Sequence, residues 1–105
     1  MSTRRHLPQR RSAVTMNVEH NGIRFRMTAG HYETGELGEI FLNAHCANST
    51  FDAFLGDAAI LASQLLQRGC TLNEIRHSLK RDFQGKPASP IGAALDAIAN
   101  PAVIG

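Results

Sequence analysis

Asn21-Gly22 lies between two runs in which apolar and polar residues alternate, and few features restrict a short chain more. Val14, Met16 and Val18 alternate with Thr15, Asn17 and Glu19 before it; Ile23, Phe25 and Met27 alternate with Arg24, Arg26 and Thr28 after it. Period two collects the apolar side chains on one face of a strand. Asn-Gly is the dipeptide that most readily takes the positive φ angles of a two-residue turn. The segment therefore reads as a β-hairpin with one apolar and one polar face. A second turn-rich stretch, Gly30 to Gly38, leads into Glu39-Ile40-Phe41-Leu42-Asn43, whose dense apolar run suits a more deeply buried third strand. A three-stranded antiparallel meander is the simplest assembly, and it needs a cover on its apolar face.

The cover is predicted as three helices. Ser49 followed by Asp52 resembles a capping box and opens a helix carrying Phe54, Leu55, Ala58, Leu61, Ala62, Leu65 and Leu66, which Gly69 ends. Thr71 and Glu74 form a second box before a short helix with Leu72, Ile75 and Leu79 inward and Arg76, Lys80 and Arg81 outward. After the break at Gly85-Lys86-Pro87, Ser89 caps a last helix with Pro90 at its first position and Ile91, Leu95 and Ile98 as its core stripe. The expected class is α+β, a meander followed by three helices packed on one sheet face.

With 105 residues, 43% of them apolar, the chain has room for one domain. Its first twelve residues hold Arg4, Arg5, Arg10 and Arg11 and no acid, with Leu7 as the one large apolar residue after Met1. They are expected to form a disordered basic arm, 1–12, ahead of a domain over 13–100 and a short tail, 101–105. Taking those four arginines from the eleven Lys and Arg leaves seven cations against nine acids, so the basic character belongs to the arm. No run approaches the ~18 apolar residues of a membrane span, and no apolar run follows the basic N-terminus as in a secretory signal, so a cytoplasmic location without membrane contact is expected.

The chemistry-bearing residues are few. Cys46 and Cys70, 24 positions apart, lack a C-x-x-C or a second ligand pair and are expected as free thiols. His45 and Cys46 are neighbours that would point to opposite sides of a strand end. His31, Tyr32 and Glu33 belong to a polar loop, Glu36 and Glu39 are expected to be solvated, and Gly30, Gly35 and Gly38 read as turn glycines. Neither a metal nor a cofactor is expected, and no catalytic residue is assigned. One region has a physical rationale as a site: Lys80, Arg81 and Lys86 stand near the free N–H groups behind Ser89, a combination that favours an anion such as a nucleoside phosphate. Phe83 is the candidate to stack on a base. The alternative is nonspecific, salt-sensitive nucleic-acid binding through Arg4, Arg5, Arg10 and Arg11, and a small enzyme using His45 and Cys46 is a third class.

The run from Gly30 to Ile98 resembles the TSCPD domain, which occurs at the C-terminus of cobalamin-dependent (class II) ribonucleotide reductases and as stand-alone proteins. The landmarks are Gly38-Glu39-Ile40-Phe41, the Asp57 to Leu66 helix ending in Gln67-Arg68-Gly69, and Ser89-Pro90-Ile91-Gly92. His45 and Asn48 stand where reductase relatives tend to carry lysine and glycine. The resemblance implies a non-catalytic accessory role near deoxyribonucleotide synthesis, since 105 residues cannot build the reductase barrel. The implied partners are a reductase subunit, a nucleotide, or a second copy of the chain. A homodimer is the expected self-association, because three short helices leave one sheet face and the strand edges open.

Overall fold

The computed structural model describes residues 3–8, 12–46 and 48–100. Three strands, β1 (Ser12–His20), β2 (Ile23–His31) and β3 (Leu37–Ala44), pair antiparallel in the order β1-β2-β3. The hairpin turn forms where expected: His20 pairs with Ile23, and Asn21 and Gly22 take φ angles of 51° and 82°. Register then puts Val18, Phe25 and Ala44 on one face with Met16, Met27 and Leu42, and Val14, Ala29 and Ile40 beyond them. Thr15, Thr28 and Phe41 lie on the other face.

Helices α1 (Thr50–Gln67), α2 (Leu72–Ser78) and α3 (Pro90–Ala99) follow. α1 runs against β3, and α3 packs on β1, α1 and α2. The core joins Phe25, Met27, Ile40 and Leu42 of the sheet to Leu55, Ala59, Ala62 and Leu66 of α1, Ile75 of α2, and Ala94, Leu95 and Ala97 of α3. Among the described residues no helix is long and apolar enough to cross a membrane.

The helix starts show which caps the sequence encodes. Thr71 and Glu74 exchange both hydrogen bonds of a capping box, at 3.1 and 2.9 Å. Ser49 accepts the Asp52 N–H at 3.0 Å, but the Asp52 carboxylate turns away from the cap and accepts the Ala44 N–H at 2.9 Å. That bond belongs to a larger arrangement. Ser63 Oγ accepts the Ile40 N–H at 2.9 Å and donates to the Ile40 carbonyl at 3.1 Å, and Gln67 donates to the Gly38 carbonyl at 3.0 Å. Asp52, Ser63 and Gln67 share one helix face. They satisfy the edge of β3 that faces away from β2, so α1 stands where a fourth strand would pair.

Three expectations change here. Of the seven apolar residues expected to line the core from α1, Leu55, Ala62 and Leu66 are buried, while Phe54, Leu61 and Leu65 are exposed. Glu39 is buried, at 8% exposure, because its partner across the ladder is Gly30, which leaves room for its side chain. Gly30 and Gly38 are therefore close-approach glycines inside strands, and only Gly35, with φ of 91°, is a turn glycine.

Candidate functional site

The loop between α2 and α3 is itself a small hairpin. The Ala88 N–H donates to the Lys80 carbonyl at 3.0 Å and the Asp82 N–H to the Lys86 carbonyl at 2.8 Å, with Arg81 bridged to Pro87 between them. At the tip the Gly85 N–H closes a turn on the Asp82 carbonyl at 2.9 Å, and Gly85 takes φ of 80°. A turn followed by a left-handed glycine is a common three-residue hairpin loop. The Asp82 carboxylate braces it further by accepting the N–H groups of Gln84 and Lys86 at 2.8 and 3.0 Å.

Alternation along this ladder sorts the predicted anion-site residues. Arg81 points to one side and meets Asp96 of α3 in a forked pair, 2.7 and 2.9 Å, while Arg76 adds a third bond to the same carboxylate at 2.9 Å. The Arg81 hydrogen bonds, with help from Arg76, hold the Asp96 carboxyl down to about 2, and the same pair raises the pKa of Arg81. Lys80 and Lys86 lie on the opposite side of the ladder from Arg81 and are exposed. Phe83 occupies the tip at 97% exposure. Ser89 caps α3 by accepting the Gly92 N–H at 3.2 Å. The structure thus leaves Lys80, Phe83 and Lys86 exposed on one hairpin, with Lys86 also lining the hollow beside it, while Arg81 bonds Asp96 and Ser89 caps α3. The concave space beside it, about 680 Å³, is lined by Glu19, Asp82 and Asp96 as well as His20 and Lys86, a balance that does not favour an anion.

The arm residues are engaged elsewhere. The Arg5 N–H donates to the Gln67 carbonyl at 2.5 Å, and its guanidinium lies 3.6 Å from the centre of the Tyr32 ring and 3.1 Å from Glu36. Tyr32 donates its hydroxyl to the Arg5 carbonyl at 3.2 Å, and Arg4 donates to the Gln67 side chain. Arg10 and Arg11 lie outside the described residues, as does the tail 101–105. Cys46 is an exposed free thiol next to the exposed His45, and Cys70 is half-buried and free. Among the described residues no three His, Cys, Asp or Glu side chains gather as a metal site would require.

Asp96 escaped the sequence reading, although it is the lone charged residue of α3 and a single charge in an apolar helix signals a buried partner. The exposed face of α1 escaped it too.

The TSCPD domain family model matches residues 2–100. A vitamin B12-dependent ribonucleotide reductase of Bradyrhizobium diazoefficiens is 34% identical over 74 residues, 70% of this chain and 6% of that protein. One from Agrobacterium fabrum is 34% identical over 71 residues, 68% of this chain and again 6% of its own length. The chain therefore spans only a small part of the relatives it matches. No solved structure matches it.

Proposed function

We propose, starting from the fact that the chain belongs to the TSCPD domain family, that it is a non-catalytic docking module that works with a B12-dependent ribonucleotide reductase. The observation that carries this reading is Phe83, 97% exposed at the tip of a braced hairpin between Lys80 and Lys86. A flexible loop would lose entropy on binding, whereas this one is held by five backbone N–H bonds within residues 80–88 and by the Arg81–Asp96 fork beneath it. An aromatic anchor with cations at its rim fits an apolar pocket with an acidic rim on a protein surface. A small nucleotide is better served by a concave site, and the neighbouring hollow sets three carboxylates, Glu19, Asp82 and Asp96, against the single lysine Lys86 and His20. Taking a B12-dependent ribonucleotide reductase as the partner rests on the similarity to the relatives named above.

Sedimentation or biolayer measurements of the full chain against the purified B12-dependent reductase of the same cell test this reading. Phe83→Ala should weaken the complex by about 30-fold, the usual cost of truncating a central aromatic anchor. Lys86→Glu should weaken it and reduce its salt dependence. Absence of a complex at about 50 µM of each protein would refute the reading. Amide shifts confined to residues 80–89 on titration with nucleoside di- or triphosphates, without reductase binding, would replace it by a nucleotide site.

A further inference from the structure

α1 carries three faces. Leu55, Ala59, Ala62 and Leu66 enter the core, and Asp52, Ser63 and Gln67 hold the edge of β3. On the far side Phe54 is 71% exposed, Leu61 66% and Leu65 48%, with half-buried Ala58 among them. Residues 54, 58, 61 and 65 follow one another at steps of four, three and four, the spacing that keeps side chains on one seam when two helices pack side by side. The seam runs for about three turns, roughly 16 Å.

This seam is self-complementary. A two-fold axis crossing the helix midway between Ala59 and Ile60 brings Phe54 opposite Leu65 of the second copy and Ala58 opposite Leu61. The small residue then receives a large one near the axis, and Phe54 and Leu65 close the two ends. An antiparallel pair also sets opposite helix dipoles side by side. With roughly 150–250 Å² for a large side chain, the three exposed side chains offer about 350 Å² per copy, the size at which apolar patches mark interaction sites. Two copies would contribute about 700 Å², and the flanking helix surface brings the total toward the lower end of specific interfaces, roughly 1,200 Å². The open edge of β1 is the other place where two copies could meet, but it offers mainly backbone groups, with Val14 as its exposed large side chain.

We infer that this seam is a two-fold interface on which α1 of one copy packs antiparallel against α1 of a second copy. The inference stands apart from the docking role of Phe83, which lies on a different element, and Phe83→Ala is expected to leave the dimer intact.

Sedimentation equilibrium of the full chain should show a monomer–dimer equilibrium in the micromolar range. Leu61→Glu places two carboxylates near the axis and should weaken the dimer by about 100-fold, while helix content and melting stay unchanged because the side chain is exposed. If that variant loses helix content, Leu65→Gln provides the same test. In a Cys46→Ser/Cys70→Ser background, Phe54→Cys/Leu65→Cys should oxidise to a covalent dimer, and neither single cysteine variant should. A wild-type chain that stays monomeric at about 200 µM would overturn the inference. So would a dimer that survives Leu61→Glu, which would point to the β1 edge, or single-cysteine variants that cross-link as readily as the double.

Discussion

Replacing Asp96 by asparagine removes the charge that holds Arg81 and Arg76 while keeping the side chain's size. In the native protein this carboxylate accepts three hydrogen bonds of 2.7 to 2.9 Å from the two guanidinium groups, and its pKa falls from 3.8 to about 2. A drop of just under two units converts to a ceiling of about 2 kcal/mol. All three side chains keep contact with water, at 17 to 27% exposure, so about 1 kcal/mol is the expected contribution. The folded pKa lies below the unfolded one. The contribution is therefore present above about pH 4 and is lost as the pH falls toward 2. Thermal unfolding followed by circular dichroism at pH 7, 4 and 2 should show Asp96→Asn melting about 4–8 °C lower at neutral pH, with the gap closing in acid as the wild-type carboxyl protonates. Because the fork anchors the 80–88 hairpin to α3, amide exchange at Asp82 and Lys86 should also quicken in the variant. A gap that is constant from pH 7 to pH 2, or absent at pH 7, would refute the account.

Gly22→Val should cost about 1 kcal/mol or more in chemical denaturation, since φ of 82° is strained for a β-branched residue, and an unchanged midpoint would contradict the turn. Gly38→Ala should cost about 1–3 kcal/mol, because its Cβ would lie 2.7 Å from the Tyr32 ring and 2.9 Å from Leu7; a neutral effect in the same assay would show that both neighbours can yield. Deleting residues 1–8 should lower the melting temperature by several degrees through loss of the Arg5 contacts with Gln67, Tyr32 and Glu36. Tyr32 is the one tyrosine in a chain without tryptophan, so its fluorescence should change on that deletion, and a superimposable spectrum and melt would mean the contacts contribute nothing.

What could be read from the residues alone was local or periodic. Asn21-Gly22 carries its turn in the backbone freedom of two adjacent residues, and Thr71 with Glu74 carries its cap in two side chains, so neither depends on distant chain. The buried half of α1 could not be read in that way. Residues 54, 58, 61 and 65 and residues 55, 59, 62 and 66 are adjacent stripes with the same spacing, and periodicity merges them into one broad apolar face. The edge of β3 decides between them, because Asp52, Ser63 and Gln67 reach its backbone only when the second stripe faces the core. Glu39 follows the same rule at smaller scale: its charge suggests water, and the missing side chain at Gly30 across the ladder gives it a place inside. In the anion cluster, Lys80, Arg81 and Lys86 look equivalent until the loop is known to be a ladder. Alternation then turns Arg81 to Asp96 and leaves the two lysines outside.

The composition of α1 bears on why its outer stripe is apolar at all. Its eighteen residues serve the core, the sheet edge and the outer seam, and Asp57 and Gln64 are polar side chains that neither the core nor the β3 edge employs. Core packing needs Leu55, Ala59, Ala62 and Leu66, and edge pairing needs Asp52, Ser63 and Gln67. Neither places any demand on Phe54, Leu61 or Leu65. Polar residues at those three positions would leave both sets of contacts intact and remove apolar surface from water. A helix that keeps large apolar side chains where folding does not need them is shaped by something that covers them. The symmetry of the stripe about its own centre makes a second α1 the surface that fits it.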